Sequence, residues 1–150
     1  MQVNFVSYKT RLLMLIFPAA LLLLLHTAPP KKATLTIDVG NILTLKGQVH
    51  LGVFATAVGF PDKAKPVQNK FVKVTGNRAQ AVFEVEPGTY AVAVYHDVND
   101  NGKIDKKLFG IPTEPYGFSN NIRPRLSAPS FTDCGVTVGE SDKTIRIELK

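Results

Sequence analysis

The sequence predicts an all-β fold: an immunoglobulin- or transthyretin-like β-sandwich of about seven strands, preceded by an N-terminal signal helix. Three observations carry that expectation. Apolar residues beyond position 33 recur with a period of two, the spacing of strands with one face buried. Turn-forming pairs such as Gly76-Asn77 and Pro87-Gly88 divide those runs into short pieces. No stretch of useful length in the same region shows the helical period. Six or seven short strands joined by turns fit two packed sheets.

Residues 1–28 read as a signal peptide or N-terminal anchor. Lys9 and Arg11 flank an apolar run that extends from Leu12 to Leu25 and ends at His26-Thr27-Ala28. Pro18 interrupts the run, which at about 14 residues is shorter than the ~20 that cross a bilayer as a helix. Export follows, to the periplasm or the medium. Pro29 directly after Ala28 disfavours cleavage, so an uncleaved anchor is the alternative. Residues 29–33 form a polar, extended linker around Pro29-Pro30-Lys31-Lys32. Residues 34–150 then form a single domain, since the remaining length suffices for one core and no more.

Within that domain Leu35, Ile37 and Val39 alternate with Thr34, Thr36 and Asp38, and Val49, Leu51 and Val53 with Gln48, His50 and Gly52. Each pattern is a half-buried strand, which places His50 toward solvent. Residues 55–70 are a connection, and Phe71 to Val74 with Gln80 to Val85 read as a hairpin around Gly76-Asn77. Thr89 to Tyr95 is apolar on both faces and should be central. Residues 97–129 lack a period and read as a long loop region, of the length that usually has a function or a ligand holding it. A strand near Phe131 to Val138 and another at Thr144 to Leu149 close the chain.

Composition narrows the partners. The chain carries 18 Lys and Arg against 12 Asp and Glu. Residues 1–28 hold two of the cations and no acid, so the domain is only mildly basic. Its basic residues are scattered without base-stacking aromatics among them, which argues against nucleic acid. Cys134 is the single cysteine, so no intramolecular disulfide forms, and the fold must rest on its core and on any bound ion. With no histidine beside it, Cys134 is a poor nucleophile candidate.

The stretch from His96 to Asp105 carries the most chemistry. Asp97, Asn99 and Asn101 occupy alternate positions, Gly102 allows a sharp turn, Lys103 offers its carbonyl, and Asp105 stands at the ninth position. That order matches most of a twelve-residue calcium loop, whose oxygen ligands suit a hard cation. Leu108 stands where the bidentate acid belongs, leaving Glu114 or water to complete the shell, with a dissociation constant of about 10⁻⁴ to 10⁻³ M. The bland reading is a turn in which Asn and Asp bind their own backbone.

Further on, Glu114, Tyr116, Phe118, Asn120 and Asn121, with His96, form a candidate platform for a sugar or peptide. The simpler alternative has Tyr116 and Phe118 pinning the loop while the two asparagines satisfy nearby backbone groups. His96 should lie at the edge of the core beside the acidic loop. There it is a candidate general base oriented by Asp97 or Asp105, or simply a structural histidine.

The run PGTYAVAVYHDVNDNGKID from Pro87, then FGIPTEPYGFSNN to Asn121, APSF at Ala128 to Phe131 and a closing strand resemble domain-of-unknown-function family 2141, over about residues 34–150. The resemblance implies an exported bacterial protein with an immunoglobulin-like fold and no established activity. Its hallmark segment falls on His96, Asp97, Asn99, Asn101, Gly102 and Asp105. The expected function is therefore a non-enzymatic envelope module, calcium-stabilised, that binds a protein or glycan of the cell envelope. Membrane contact is expected only through an uncleaved N-terminal segment. The rivals are an envelope hydrolase using His96 and Asp97, and a purely structural domain without metal.

Overall fold

The computed structural model describes residues 31–124 and 127–150. The expected signal or anchor, residues 1–28, lies outside the described residues, as do Pro29 and Pro30. Eight strands are present among the described residues: β1 Ala33–Gly40, β2 Gln48–Phe54, β3 Gln68–Lys73, β4 Ala79–Val85, β5 Gly88–Asp97, β6 Tyr116–Phe118, β7 Val136–Val138 and β8 Lys143–Glu148. One sheet has the order β4-β1-β8, with β1 and β8 parallel. The other has the order β3-β2-β5-β6, and β7 pairs with the start of β5. Among the described residues no helix is long and apolar enough to cross a membrane.

The two sheets share one core because the alternation in each places its apolar set on the facing side. Leu35, Ile37 and Val39 of β1 meet Val49, Leu51 and Val53 of β2, Phe83 of β4, Val92 and Val94 of β5, and Ile147 of β8. Burying each such side chain contributes about 1.5–3 kcal/mol. Strand β4 shows the alternation most cleanly, with Ala79, Ala81, Phe83 and Val85 buried and Gln80, Val82 and Glu84 exposed.

The hairpin expected around Gly76-Asn77 does not form. Strand β3 pairs with β2 and β4 with β1, so the 74–78 turn carries the chain from one sheet to the other. The physical reason lies in composition: β3 has only Val72 packed against the core, which suits an edge, whereas β4 has a full apolar face that matches β1. The two edges still meet through side chains. Gln68 Nε2 donates to the Glu84 carbonyl at 2.7 Å, and Lys70 Nζ donates to that of Val82. These long polar side chains cap carbonyls that would otherwise offer an open edge.

The opposite seam closes by backbone. Tyr116 and Lys150 exchange N–H···O bonds of 3.1 and 3.0 Å. Asn121 continues the ladder with its side chain, donating to the Arg146 carbonyl and accepting from Glu148 N. Gly117 sits inside this seam, where a Cβ would stand 2.7 Å from Ile147 Cγ2.

Two further expectations need correction. Residues 97–129 are not one loop, since β6 lies within them and pairs with β5 through Ala93↔Phe118 and Tyr95↔Tyr116. Three residues are too short to display a period. The last region also begins later than expected: residues 131–134 turn, through Cys134 N to Ser130 O and Gly135 N to Thr132 O, and pairing starts at Val136.

Candidate functional site

Strand β5 ends at Asp97, whose side chain is fully buried. From there the chain doubles back, with Asp100 and Gly102 both in the left-handed region. The loop organises itself around acceptor oxygens. Asp97 Oδ1 accepts from Asn101 N at 3.1 Å and Oδ2 from Gly102 N at 2.7 Å. Asn99 Oδ1 accepts from Asn101 N, and Asn101 Oδ1 from Lys103 N, the short polar turns that these residue types favour. Burial pushes the Asp97 carboxyl up, but the Gly102 and Asn101 amides and nearby His50 outweigh it, holding Asp97 below its ordinary 3.8.

Asp105 closes the ring. Its two oxygens accept from Asn99 Nδ2 at 2.8 Å and Asn101 Nδ2 at 2.9 Å. The structure therefore brings the side chains of Asp97, Asn99, Asn101 and Asp105 into one hydrogen-bonded loop. Glu114 joins it differently: buried, it accepts from Val98 N at 2.9 Å and Asp105 N at 3.0 Å, one through each oxygen. It acts as a clip across the loop's two ends.

A hard cation needs converging oxygens. Among the described residues no group of three or more His, Cys, Asp or Glu could hold a metal ion, so any ion here would draw much of its shell from Asn amides, a carbonyl and water. The donor set allows this. Half-rotation of the Asn99 and Asn101 amides would turn oxygens toward the Asp105 carboxylate, at the cost of the bonds that Asn101 N and Lys103 N now give to their Oδ1 atoms.

His50 departs from its expected place in solvent. It is 7% exposed, stacked edge-on to Phe71, with Nδ1 2.6 Å from the Tyr95 hydroxyl. Its Nε2 lies 3.4 Å from Asp97 Oδ2 and has no hydrogen-bond partner among the described residues. Burial lowers its pKa against the pull of Asp97, and burial likewise raises that of Tyr95. Alternation with buried Val49 and Leu51 turns His50 to the outer face of this sheet, and that face is covered.

His96 also differs. Adjacent strand residues point to opposite faces, so His96 turns into the core while Asp97 faces His50, and the candidate His96–Asp97 pair of the hydrolase alternative is not formed. His96 is fully buried, and its Nε2 donates to the Lys46 carbonyl at 2.7 Å. Asp105 is likewise engaged with the asparagine amides rather than with His96.

The covered outer face holds a cleft of about 750 Å³, between the five-stranded sheet and the loops 55–67 and 103–112. Gly52 and Ala93, opposite each other in register, give it a low floor. Phe54, Phe71, Tyr95, Tyr116 and Phe118 supply aromatic walls, while His50 and Asn69 add polar groups. At the rim Lys106 Nζ meets Asp62 Oδ1 at 3.2 Å, tying the two loops together.

Residues 103–112 form a narrow finger over this cleft. Thr113 N donates to Asp105 O, and Lys107 N to Ile111 O, each at 2.8 Å. Phe109 at its tip adopts φ 64°, a left-handed conformation rare for an aromatic residue.

Of the expected platform, only Tyr116 and Phe118 line the cleft. Asn120 Nδ2 donates to the carbonyls of Asp133 and Gly135, and Asn121 belongs to the seam with β8. Glu114 is the loop clip, and His96 is in the core. The sequence reading missed Phe54, Phe71 and Tyr95 as wall residues. Their signal was present in the apolar character of both faces of β5, which requires that something cover the outer one.

A family model described as "Uncharacterized protein conserved in bacteria" matches residues 37–146. No curated protein and no solved structure gives a match.

Proposed function

The chain belongs to domain-of-unknown-function family 2141, and from its geometry we propose a non-enzymatic binding module of the cell envelope, exported by its N-terminal segment and folded as a β-sandwich of immunoglobulin or transthyretin type. The observation that carries this reading is the aromatic-walled cleft on the outer sheet face, a surface that two-sheet domains ordinarily leave polar. Its aromatic walls and few polar groups suit an envelope glycan or an extended peptide, the two classes that offer alternating apolar and hydrogen-bonding faces. The test uses soluble cell-wall glycan fragments and envelope-derived peptides as probes, with Ala93→Trp filling the floor. Retention of binding by Ala93→Trp refutes the cleft as the site.

In this reading calcium binds the 97–105 loop through Asp97, Asn99, Asn101, the Lys103 carbonyl and Asp105, and stiffens the base of the finger. Supporting it are the alternating oxygen-bearing residues and the left-handed Gly102. With a dissociation constant of about 10⁻⁴ to 10⁻³ M, about 10 mM calcium stabilises the fold by ~1.4–2.7 kcal/mol. Differential scanning calorimetry after chelation and calcium addition measures this directly. A melting temperature that calcium leaves unchanged in wild type sinks the metal and leaves the cleft standing, whereas a rise that Asp105→Ala abolishes supports it.

A further inference from the structure

We propose that the finger spanning residues 103–112 docks on an anionic lipid surface, inserting Leu108, Phe109 and Ile111 among the headgroups while its lysines hold the negative charge. This adds a second lipid contact to the one expected from the N-terminal segment, and it shares residues with both proposed sites: Phe109 and Ile111 also line the cleft, and Lys103 and Asp105 belong to the calcium loop.

The first observation is a run of exposed apolar residues at the tip of the finger, denser than the exposed Leu43, Leu45 and Val58 elsewhere on the surface. Leu108 is 80%, Phe109 95% and Ile111 60% exposed, within four consecutive positions. Scattered exposed apolar residues need no explanation, but a cluster at a tip marks a surface that is covered in use. The backbone reinforces the point. Phe109 is held at φ 64° with Gly110 N bonded to the Lys107 carbonyl, a conformation that gives its ring no packing partner in the core.

The second observation is charge. Lys103, Lys106 and Lys107 are all exposed and stand just behind the apolar tip. The only carboxylate in the finger, Asp105, is turned back onto the amides of Asn99 and Asn101. Lys106 shares its charge with Asp62, and among the described residues Lys103 and Lys107 form no ion pair. An apolar tip behind which cations gather matches the layered chemistry of an anionic bilayer, with hydrocarbon below and phosphate above.

The third is area. A large aromatic side chain buries about 150–250 Å², so one phenylalanine with two smaller aliphatic side chains falls short of the ~800 Å² that a stable protein interface buries on each partner. A bilayer demands no such matching surface. Because the finger's base is fixed by the Glu114 clip and the Thr113–Asp105 bond, little freedom is lost on docking.

The full chain contains no tryptophan, so Phe109→Trp places a single reporter at the tip whatever the N-terminal segment does. The probes are vesicles of phosphatidylcholine alone and of phosphatidylcholine with about one-third phosphatidylglycerol. The expected result is a blue shift of tryptophan emission and quenching by brominated acyl chains with the anionic vesicles, with a dissociation constant at least ten-fold weaker on phosphatidylcholine alone. Lys103→Glu/Lys107→Glu in the same background should weaken anionic binding at least ten-fold. Ile111→Trp, a second reporter, guards against a local disturbance at Phe109. Absence of quenching with both reporters overturns the proposal. An emission shift that follows protein concentration without vesicles identifies a second copy as the occupant and also overturns it.

Discussion

Glu114→Ala tests the architecture of the loop most directly. The carboxylate is 8% exposed and receives two backbone donors, Val98 N and Asp105 N, that bracket the loop. Hydrogen bonds to a charged group contribute about 1.5–3 kcal/mol each, and a buried donor left without a partner costs about 1–3 kcal/mol. Both amides belong to half-buried residues, so water reaches them partly after truncation, and a loss of about 2–4 kcal/mol is expected. For a domain of this size that corresponds to a fall in melting temperature of roughly 8–16 °C. Glu114→Gln keeps one acceptor and turns an N–H toward the other donor, so it should fall between wild type and alanine. Thermal unfolding by circular dichroism gives the stabilities, and native-state hydrogen exchange reads the amides of Val98 and Asp105 individually. Exposed Glu140 serves as control, where alanine should cost less than about 0.5 kcal/mol. A Glu114→Ala melting temperature within about 3 °C of that of Glu140→Ala, or unchanged exchange at Val98 and Asp105, refutes the role of Glu114 as a clip.

Other substitutions probe the surroundings of the loop. Gly47 has φ 73° and its Cβ would stand 2.0 Å from the Asp97 carbonyl oxygen, so Gly47→Ala should destabilise by about 2–4 kcal/mol, measured by urea unfolding. Asp97 has a depressed pKa in the folded state, so its stabilisation is complete above the ordinary 3.8 and is lost as pH falls through the lower folded value. Melting temperatures from pH 6 to 2 should show that loss in wild type and a flatter profile in Asp97→Asn. His50, lowered by burial, should titrate below 6.5 in its imidazole NMR shifts, and a value at or above 6.5 contradicts its placement. Burial raises the Cys134 thiol to about 11, so the native protein should react with an aromatic disulfide reagent only on the timescale of unfolding.

The course of each strand with a clean alternation was legible in advance. Leu35, Ile37 and Val39, or Ile145 and Ile147, present one apolar side, and burying that side allows a single orientation. Pairing partners were not legible. The turn at Gly76-Asn77 suits a hairpin as well as a crossover, and the choice was made by the apolar face of β4, which fits β1, far away in sequence. The family and the acidic turn could likewise be read from residue order alone, because Asn and Asp act on backbone only a few positions away.

What the residue order determined by itself was therefore an all-β chain, its family and the local chemistry of 97–105. The tertiary structure decided which side of each polar residue is wet. His50 is buried because loops from both ends of the sheet cover its outer face, and Glu114 reaches Val98 and Asp105 because β6 brings it back beside the end of β5. Both outcomes rest on contacts between residues distant in sequence, and period and propensity describe only near neighbours.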